Sequence, residues 1–326
     1  MAFIRYQQLL ILLVIFLLCN SGRQGLFAQP VWKQRADYSL VLPEGLKLFE
    51  LIDTNVANPL HAWCLQLDLR SKRAVPEVIC PYDSLMTPPA FYALLHQPLI
   101  MMNAGFSNDA GGRMESLLMQ NEIVCAFNKS SLRSNFSDSF YYFSRAALGI
   151  SRHRKADIAW VLNDSSGYYP RAFQQNPVVY KDRAAKADIK KLQQLEYWKW
   201  WRMKLAFGGG PVLIQRGKIK ITYREEQIPF AGSRDRLART AVGYTRKNRL
   251  IMVFIEGPGK DGSGGANLQQ TASIMRSLGC REAMQLNYGN SSFLYVQGKP
   301  VFQTADDARV PALITIRSVQ AKAKNK

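Results

Sequence analysis

Hydrophobic and polar positions along this chain fall mostly into short runs with strand character. Trp63, Leu65, Leu67 and Leu69 share one face of a period-2 segment. Leu99 to Met102 is a short apolar run that reads as a buried strand. Leu117–Met119 and Ile123–Ala126 read as a hairpin around Gln120-Asn121-Glu122. Strands are further predicted near Ala146–Ile150, Ile158–Leu162, Ala283–Leu286 and Phe293–Val296. Val212 starts a strand–turn–strand unit with Arg216-Gly217 at the turn and Tyr223 at its end. Thr240–Thr245 and Arg249–Ile255 form another pair, joined by Arg246-Lys247-Asn248. Asp37 to Leu60 carries mixed turn and strand signals.

Helical spacing is rarer. Pro88 and Pro89 can open a helix, because the first turn has no use for their missing N–H groups. Asn267 can cap a helix whose apolar face is Ala272, Ile274, Met275 and Leu278, with Gly279 as its stop. Lys181 to Leu205 reads as a basic amphipathic helix with an aromatic cluster at Tyr197 to Trp201. These elements predict a single α+β domain with a mixed β-sheet core and packed helices.

The ends of the chain are set apart by composition. Arg5 precedes an apolar run from Leu9 to Cys19, too short for a bilayer and right for the core of a secretory leader. The expected division is residues 1–28 as signal peptide, 29–320 as the domain and 321–326 as a basic tail. Secreted or periplasmic localisation follows, with no stable membrane insertion once the leader is cut. Removal of Arg5 and Arg23 lowers the formal charge from +19 by two, to about +17. Such an excess attracts anionic partners, and an anionic or phosphorylated glycan is the expected one. Nucleic acid is not expected, since no recognition helix, zinc finger or RNP-like strand is visible.

Four cysteines remain after the leader: Cys64, Cys80, Cys125 and Cys280. Cys64 and Cys80 flank what reads as two strands around a basic turn, so a bridge between them and four buried free thiols both stand as readings. His61, His96 and His153 never reach ligand spacing, so no zinc site and no cofactor are expected.

The candidate chemistry comes from four boxes in order. They are Asn103-Ala104-Gly105-Phe106, Gly209-Gly210-Pro211, Arg239-Thr240-Ala241-Val242-Gly243, and Gln285 to Ser292. In order and spacing these resemble the phosphodiester glycosidase family, which includes an enzyme that removes N-acetylglucosamine from a sugar phosphodiester. The resemblance covers about Asn103 to Arg309 and implies a hydrolase acting on a sugar-1-phosphodiester or related anionic envelope glycan. It implies substrate-binding roles for Asn103, Gly209, Gly210, Arg239, Thr240, Ser291, Ser292 and Arg309. Arg239 and Arg309 would fork onto phosphate oxygens, and the glycines would offer N–H donors.

Two departures affect catalysis. The family's Asp-Gly-Arg reads Glu256-Gly257-Pro258 here, which makes Glu256 the expected base, desolvated at the end of a buried strand. In the last box Asn287 stands where the family has Asp, and an amide cannot titrate. The catalytic set implied is therefore Glu256, Asn287 and Asp306, with Asp307 beside it. A non-hydrolytic scaffold that binds anionic polysaccharide is the alternative.

Overall fold

A computed structural model of the chain turns these period-2 runs into one continuous system of strands. It describes residues 31–39, 41–53, 59–81, 85–108, 112–162, 169–183, 198–228, 235–259 and 264–319. Two compact units divide the chain, Met1–Val31 and Trp32–Lys326. All elements below belong to the second. The expected leader and basic tail lie outside the described residues.

The largest sheet has eight strands. In spatial order they are Lys33–Gln34, Leu46–Asp53, Leu60–Asp68, Arg249–Ile255, Arg239–Thr245, Cys280–Tyr288, Val212–Gln215 and Lys218–Ile219. A seven-stranded sheet is centred on Ala156–Leu162, Arg145–Ile150 and Leu205–Gly208. A five-stranded sheet is centred on Phe293–Val296, Ile100–Asn103 and Leu313–Ser318. A small three-stranded sheet completes the set. Every strand pairing among the described residues is antiparallel.

The expectation of an α+β domain with a mixed sheet is thereby corrected. Among the described residues strands make up 48% against 9% in three helices, so the fold is β-rich with curled sheets. The helices are Ala36–Ser39, Pro88–Leu94 and Leu268–Ser277, and only the last exceeds two turns. Its start is secured by a reciprocal capping box: Asn267 accepts from the Gln270 N–H at 2.8 Å, and Gln270 accepts from the Asn267 N–H at 2.9 Å. The basic helix expected over Lys181 to Leu205 is not seen in its described parts. Tyr180–Asp182, Lys199–Trp200 and Leu205–Gly208 are strands, and residues 184–197 lie outside the described set.

Two-residue periodicity explains the layering. Trp63, Leu65 and Leu67 face a core shared with Leu148, Trp160 and Phe207 of the seven-stranded sheet and with Met102 and Ile314 of the five-stranded sheet. The alternate residues Ala62 and Cys64 face the other way, joining Ala241, Val253 and the helical Leu268, Ala272 and Met275. The eight-stranded sheet thus buries both faces, worth about 1.5–3 kcal/mol for each large apolar side chain taken fully from water.

The Cys64–Cys80 bridge does not form; all four described cysteines are free thiols. Cys64 lies mid-strand between Phe49 and Val253, on the helix side of the large sheet. Cys80 follows Ala74–Ile79, which pairs with Leu313–Ser318 in a different sheet. The two strands are consecutive in the chain without being neighbours. Burial pushes the Cys64 thiol up to about 12, so it behaves as a small apolar residue.

Candidate active site

Three sheets deliver their strand ends to one cleft of about 930 Å³, within the roughly 300–1,000 Å³ range of small-ligand sites. Phe106 and Ser107 follow the Ile100–Asn103 strand of the five-stranded sheet. Arg145 opens a strand of the seven-stranded sheet. Asn287 and Tyr288 close a strand of the eight-stranded sheet. Asp307 and Arg309 come from the loop after Lys299–Gln303. Loops on a rigid scaffold are the usual carriers of function.

Arg145 dominates the electrostatics of the cleft. It is only 3% exposed, and its guanidinium lies over the rings of Phe143 and Phe106, at 5.2 and 5.8 Å. Its hydrogen bonds are long: Nε donates to the Glu226 carbonyl at 3.4 Å and one terminal nitrogen to the Gln227 carbonyl at 3.2 Å. Among the described residues no carboxylate lies within ion-pair distance of it. Burial lowers its pKa, and the nearby charges of Glu226 and Glu115 act the other way. An arginine remains charged regardless. A buried cation at a cleft, with no ion-pair partner among the described residues, is a candidate anion site.

Glu226 fixes the strand on which Arg145 stands. One oxygen accepts from Trp160 Nε1 at 3.0 Å, the Val212 N–H at 2.8 Å and the Thr222 hydroxyl at 2.6 Å. The other accepts from the Ala146 N–H at 2.9 Å. It is fully buried, and desolvation raises its pKa against those four donors. The residue after Arg145 is thereby tied to the loop that supplies the two carbonyls under the guanidinium.

Of the residues expected from the boxes, Asn287, Ser291 and Arg309 line the cleft, with Asp307. The Asn287 amide is closed on itself locally: its nitrogen donates to the Ser291 hydroxyl at 2.9 Å, and its oxygen accepts from the Tyr288 N–H at 2.8 Å. Phe106 and Tyr288 meet edge to face at 5.5 Å and give the cleft an apolar wall. Glu115 adds a carboxylate, paired with Lys129 at 2.6 Å.

The others are placed elsewhere. Arg239 has no exposed surface. It donates to the carbonyls of Ala266 and Asp235 at 2.5 and 2.9 Å and to Gln285 Oε1 at 2.5 Å. Those partners lie on the helix side of the large sheet. The next residue, Thr240, points to the opposite face, where its hydroxyl meets Asn103 at 3.5 Å and its cross-strand partner is Asn287. Arg239 and Asn287 therefore occupy opposite faces of the sheet. Asn103 is buried, and its oxygen accepts from the Phe293 N–H at 3.1 Å. Ser292 is buried under Thr304, which bonds both its N–H and its carbonyl.

Gly209 and Gly210 spend their N–H groups on the carbonyls of Ala146 and Gln285 at 3.0 and 2.8 Å. A side chain on Gly209 would sit 2.5 Å from the Gln285 carbonyl, so glycine there permits a close approach of backbones. Glu256 is nearly half exposed and pairs with His61 at 3.1 Å, whose other nitrogen meets Glu50 at 2.9 Å. Asp306 is exposed and accepts from Gln303. Neither Glu256 nor Asp306 lines the cleft.

Sequence reasoning passed over Arg145, Glu115 and Glu226. Arg145 did leave a signal, as a lone cation opening the otherwise apolar run Ala146 to Ile150. Glu226 left none, since it sits among other charges at Arg224 and Glu225.

The β-rich fold agrees with comparisons to known proteins. The family model for phosphodiester glycosidases matches residues 138–317, more than half of the chain. This chain belongs to the phosphodiester glycosidase family. The match includes Arg145, Arg239, Asn287 and Arg309. No curated protein matches by sequence.

Among solved structures, a hypothetical protein from Synechocystis is similar with a TM-score of 0.60 and 15% identity, over 90% of this chain and 64% of that one. This chain thus spans less than two thirds of that protein's length. The catalytic domain of zebrafish N-acetylglucosamine-1-phosphodiester alpha-N-acetylglucosaminidase, auto-inhibited by its pro-peptide, is similar with a TM-score of 0.56 and 14% identity. That match covers 90% of this chain and 85% of the other. A candidate exported protein from Burkholderia pseudomallei is similar with a TM-score of 0.53 and 15% identity, over 80% of this chain and 74% of that one. At these identities the likeness is one of fold.

Proposed function

We propose that this chain hydrolyses a sugar-1-phosphodiester of an anionic envelope glycan in the cleft around Arg145. Secreted or periplasmic placement belongs to the same proposal and rests on the leader-like N-terminus. The observation that carries the reading is Arg145 itself, a buried cation at the cleft with no carboxylate within ion-pair distance among the described residues. Its guanidinium receives the phosphate, with Arg309 at the exposed lip as the second cation. The sugar ring packs against Phe106 and Tyr288.

Glu115 and Asp307 are the carboxylates available at the cleft. The bond between the anomeric carbon and the phosphate oxygen breaks, and the phosphate departs as a monoester of the remaining alcohol. Water adds to the anomeric carbon and gives its proton to a carboxylate. A phosphate is already a good leaving group, so the strong general acid of ordinary glycoside cleavage is not needed. No cofactor enters this scheme.

One observation favours a second reading, a binding scaffold without turnover. Asn287 replaces the family carboxylate, and its amide is engaged by Ser291 and the Tyr288 N–H. The test is to incubate purified protein with a sugar-1-phosphodiester and assay free sugar and phosphomonoester. Hydrolysis by the natural chain, lost in Glu115→Gln or Asp307→Asn, supports the enzyme and identifies its carboxylate. No release, together with salt-sensitive binding of the same compound and a gain of release in Asn287→Asp, establishes the scaffold.

A further inference from the structure

Three basic turns lie at strand ends, and one of those strands, Arg145–Ile150, also reaches the cleft. The first follows Leu60–Asp68 and exposes Arg70, Lys72 and Arg73. The second follows Arg145–Ile150 and exposes Arg152 and Lys155, with His153 between them. The third joins Arg239–Thr245 to Arg249–Ile255 and exposes Arg246 and Lys247. Arg145 lines the cleft, and Ile150 enters the second turn five residues later, about 17 Å along the strand. The same holds in the neighbouring sheet, where Asn287 pairs with Thr240, and Thr245 leads into the third turn. The Arg145–Ile150 strand thus carries the cleft at one end and a basic turn at the other.

The three turns are stitched into one surface. Arg154 donates to the carbonyls of Leu69, Ser71 and Ala74 at 2.5, 2.6 and 2.9 Å. Asn248 donates to the Arg154 carbonyl at 2.9 Å, and the Leu69 N–H donates to the Asn248 carbonyl at 3.1 Å. Arg154 and Asn248 both hold φ at +58°, fixed by these bonds.

The charges on this surface are only partly neutralised locally. Arg70 pairs with Asp68 at 2.7 Å, and Arg152 pairs with Glu122. Arg73 reaches Glu44 only at 4.0 Å. Lys72, Lys155, Arg246 and Lys247 have no carboxylate within ion-pair distance among the described residues. None of the three turns carries a Trp, Tyr or Phe. Rings that stack on bases or sugars are the usual mark of a site for single-stranded nucleic acid or glycan. An array of long cations without such rings suits a broad layer of phosphates.

We infer that this end of the molecule is an electrostatic docking surface for an anionic phospholipid bilayer, which holds the chain peripherally and leaves the cleft facing away from the lipid. The attraction is screened by salt within a Debye length.

Cosedimentation of the full chain with vesicles tests this. Pure phosphatidylcholine vesicles give the baseline set by the apolar N-terminal run. Vesicles containing phosphatidylglycerol should bind well above that baseline at low ionic strength, and the excess should vanish at high salt. Each cation near the surface contributes about fivefold in affinity. Replacing Lys72, Lys155, Arg246 and Lys247 by Gln together should therefore cost a hundredfold or more, with melting temperature unchanged. If the fourfold variant fails to fold, the pairs Lys72→Gln with Lys155→Gln and Arg246→Gln with Lys247→Gln should each cost about twenty-five-fold. Equal binding to neutral and anionic vesicles overturns the inference, as does a variant that binds like the natural chain. Loss of binding to a soluble sulfated polysaccharide without any loss on vesicles would assign the surface to soluble polyanions and overturn it too.

Discussion

Arg145 and Arg239 each begin a strand, each is buried, and each serves a different end. Arg239 spends donors on two carbonyls and a glutamine, on the helix side of the large sheet. Arg145 makes two long hydrogen bonds and turns toward the cleft. Burial lowers the pKa of both, that of Arg239 to about 10. Burial alone therefore does not separate a structural arginine from a binding one. The destination of the N–H groups does.

The largest effect that could break this comparison is on turnover. Arg145→Met should slow phosphodiester cleavage about 10²–10³-fold, the usual cost of a lost charge-stabilising donor. Its melting temperature should move little. If it unfolds instead, Arg145 is structural as well.

Arg239→Met should do the reverse. It leaves Gln285 Oε1 buried without its donor, at about 1–3 kcal/mol, while the Ala266 carbonyl keeps the Leu237 N–H at 3.2 Å. Urea denaturation should show a loss of roughly 1–3 kcal/mol. A stable Arg239→Met protein that lacks activity would reverse the assignment of the two arginines.

Glu226→Gln sharpens the pair from below. An amide nitrogen would face a donor, either the Ala146 N–H or the group around Trp160, costing about 1–3 kcal/mol. Activity should fall with stability, because the strand origin that aims Arg145 is loosened. Preserved activity would separate Glu226 from the site.

The smallest effect is one of pH. Desolvation raises Glu226 and Glu282 above their ordinary 4.5 and Asp157 above its ordinary 3.8. Carboxyls raised in the folded state keep protons that the unfolded chain has already lost. Their contribution is fully present below the ordinary carboxylate range and declines as pH rises through the raised values. The melting temperature should therefore drift downward above about pH 4.5, and Glu282→Gln should flatten part of that drift. An upward drift over the same range would exclude the buried acids as its source.

Much of the fold was legible because strand alternation and helix capping are local. Trp63 to Leu69, Arg249 to Ile255 and the helix after Asn267 declare themselves within a dozen residues. The balance of classes was not legible in the same way. A basic stretch such as Lys181 to Leu205 can be written at helical spacing and still supply strands at its described ends, since pairing with Tyr141 and Ala172 is decided far away in sequence. Cys64 and Cys80 misled for the same reason: consecutive strands were read as neighbours, yet the chain passes from one sheet to another between them.

The site divides along the same line. The last box placed Asn287 and Ser291 at the cleft, and Arg309 follows it there. Of the other boxes, Phe106 reaches the cleft and the rest mark buried joints. Arg145 needed the tertiary structure, because only the sheets show that its guanidinium lies beside a void, with no carboxylate within ion-pair distance among the described residues.

Those glycine boxes have a meaning that a motif search would overlook. Gly105 lies against the Gly208 carbonyl, and Gly208 lies against Asn128 and the Leu117 N–H, each with no room for a Cβ. Gly209 then meets the strand that ends at Asn287. The boxes are seams where sheets from distant parts of the chain are joined backbone to backbone. A protein could exchange every reacting group in its cleft and still need these seams to close. Finding the boxes in a new sequence therefore recovers the shape of the vessel, and its contents have to be read from the arginines and carboxylates around the opening.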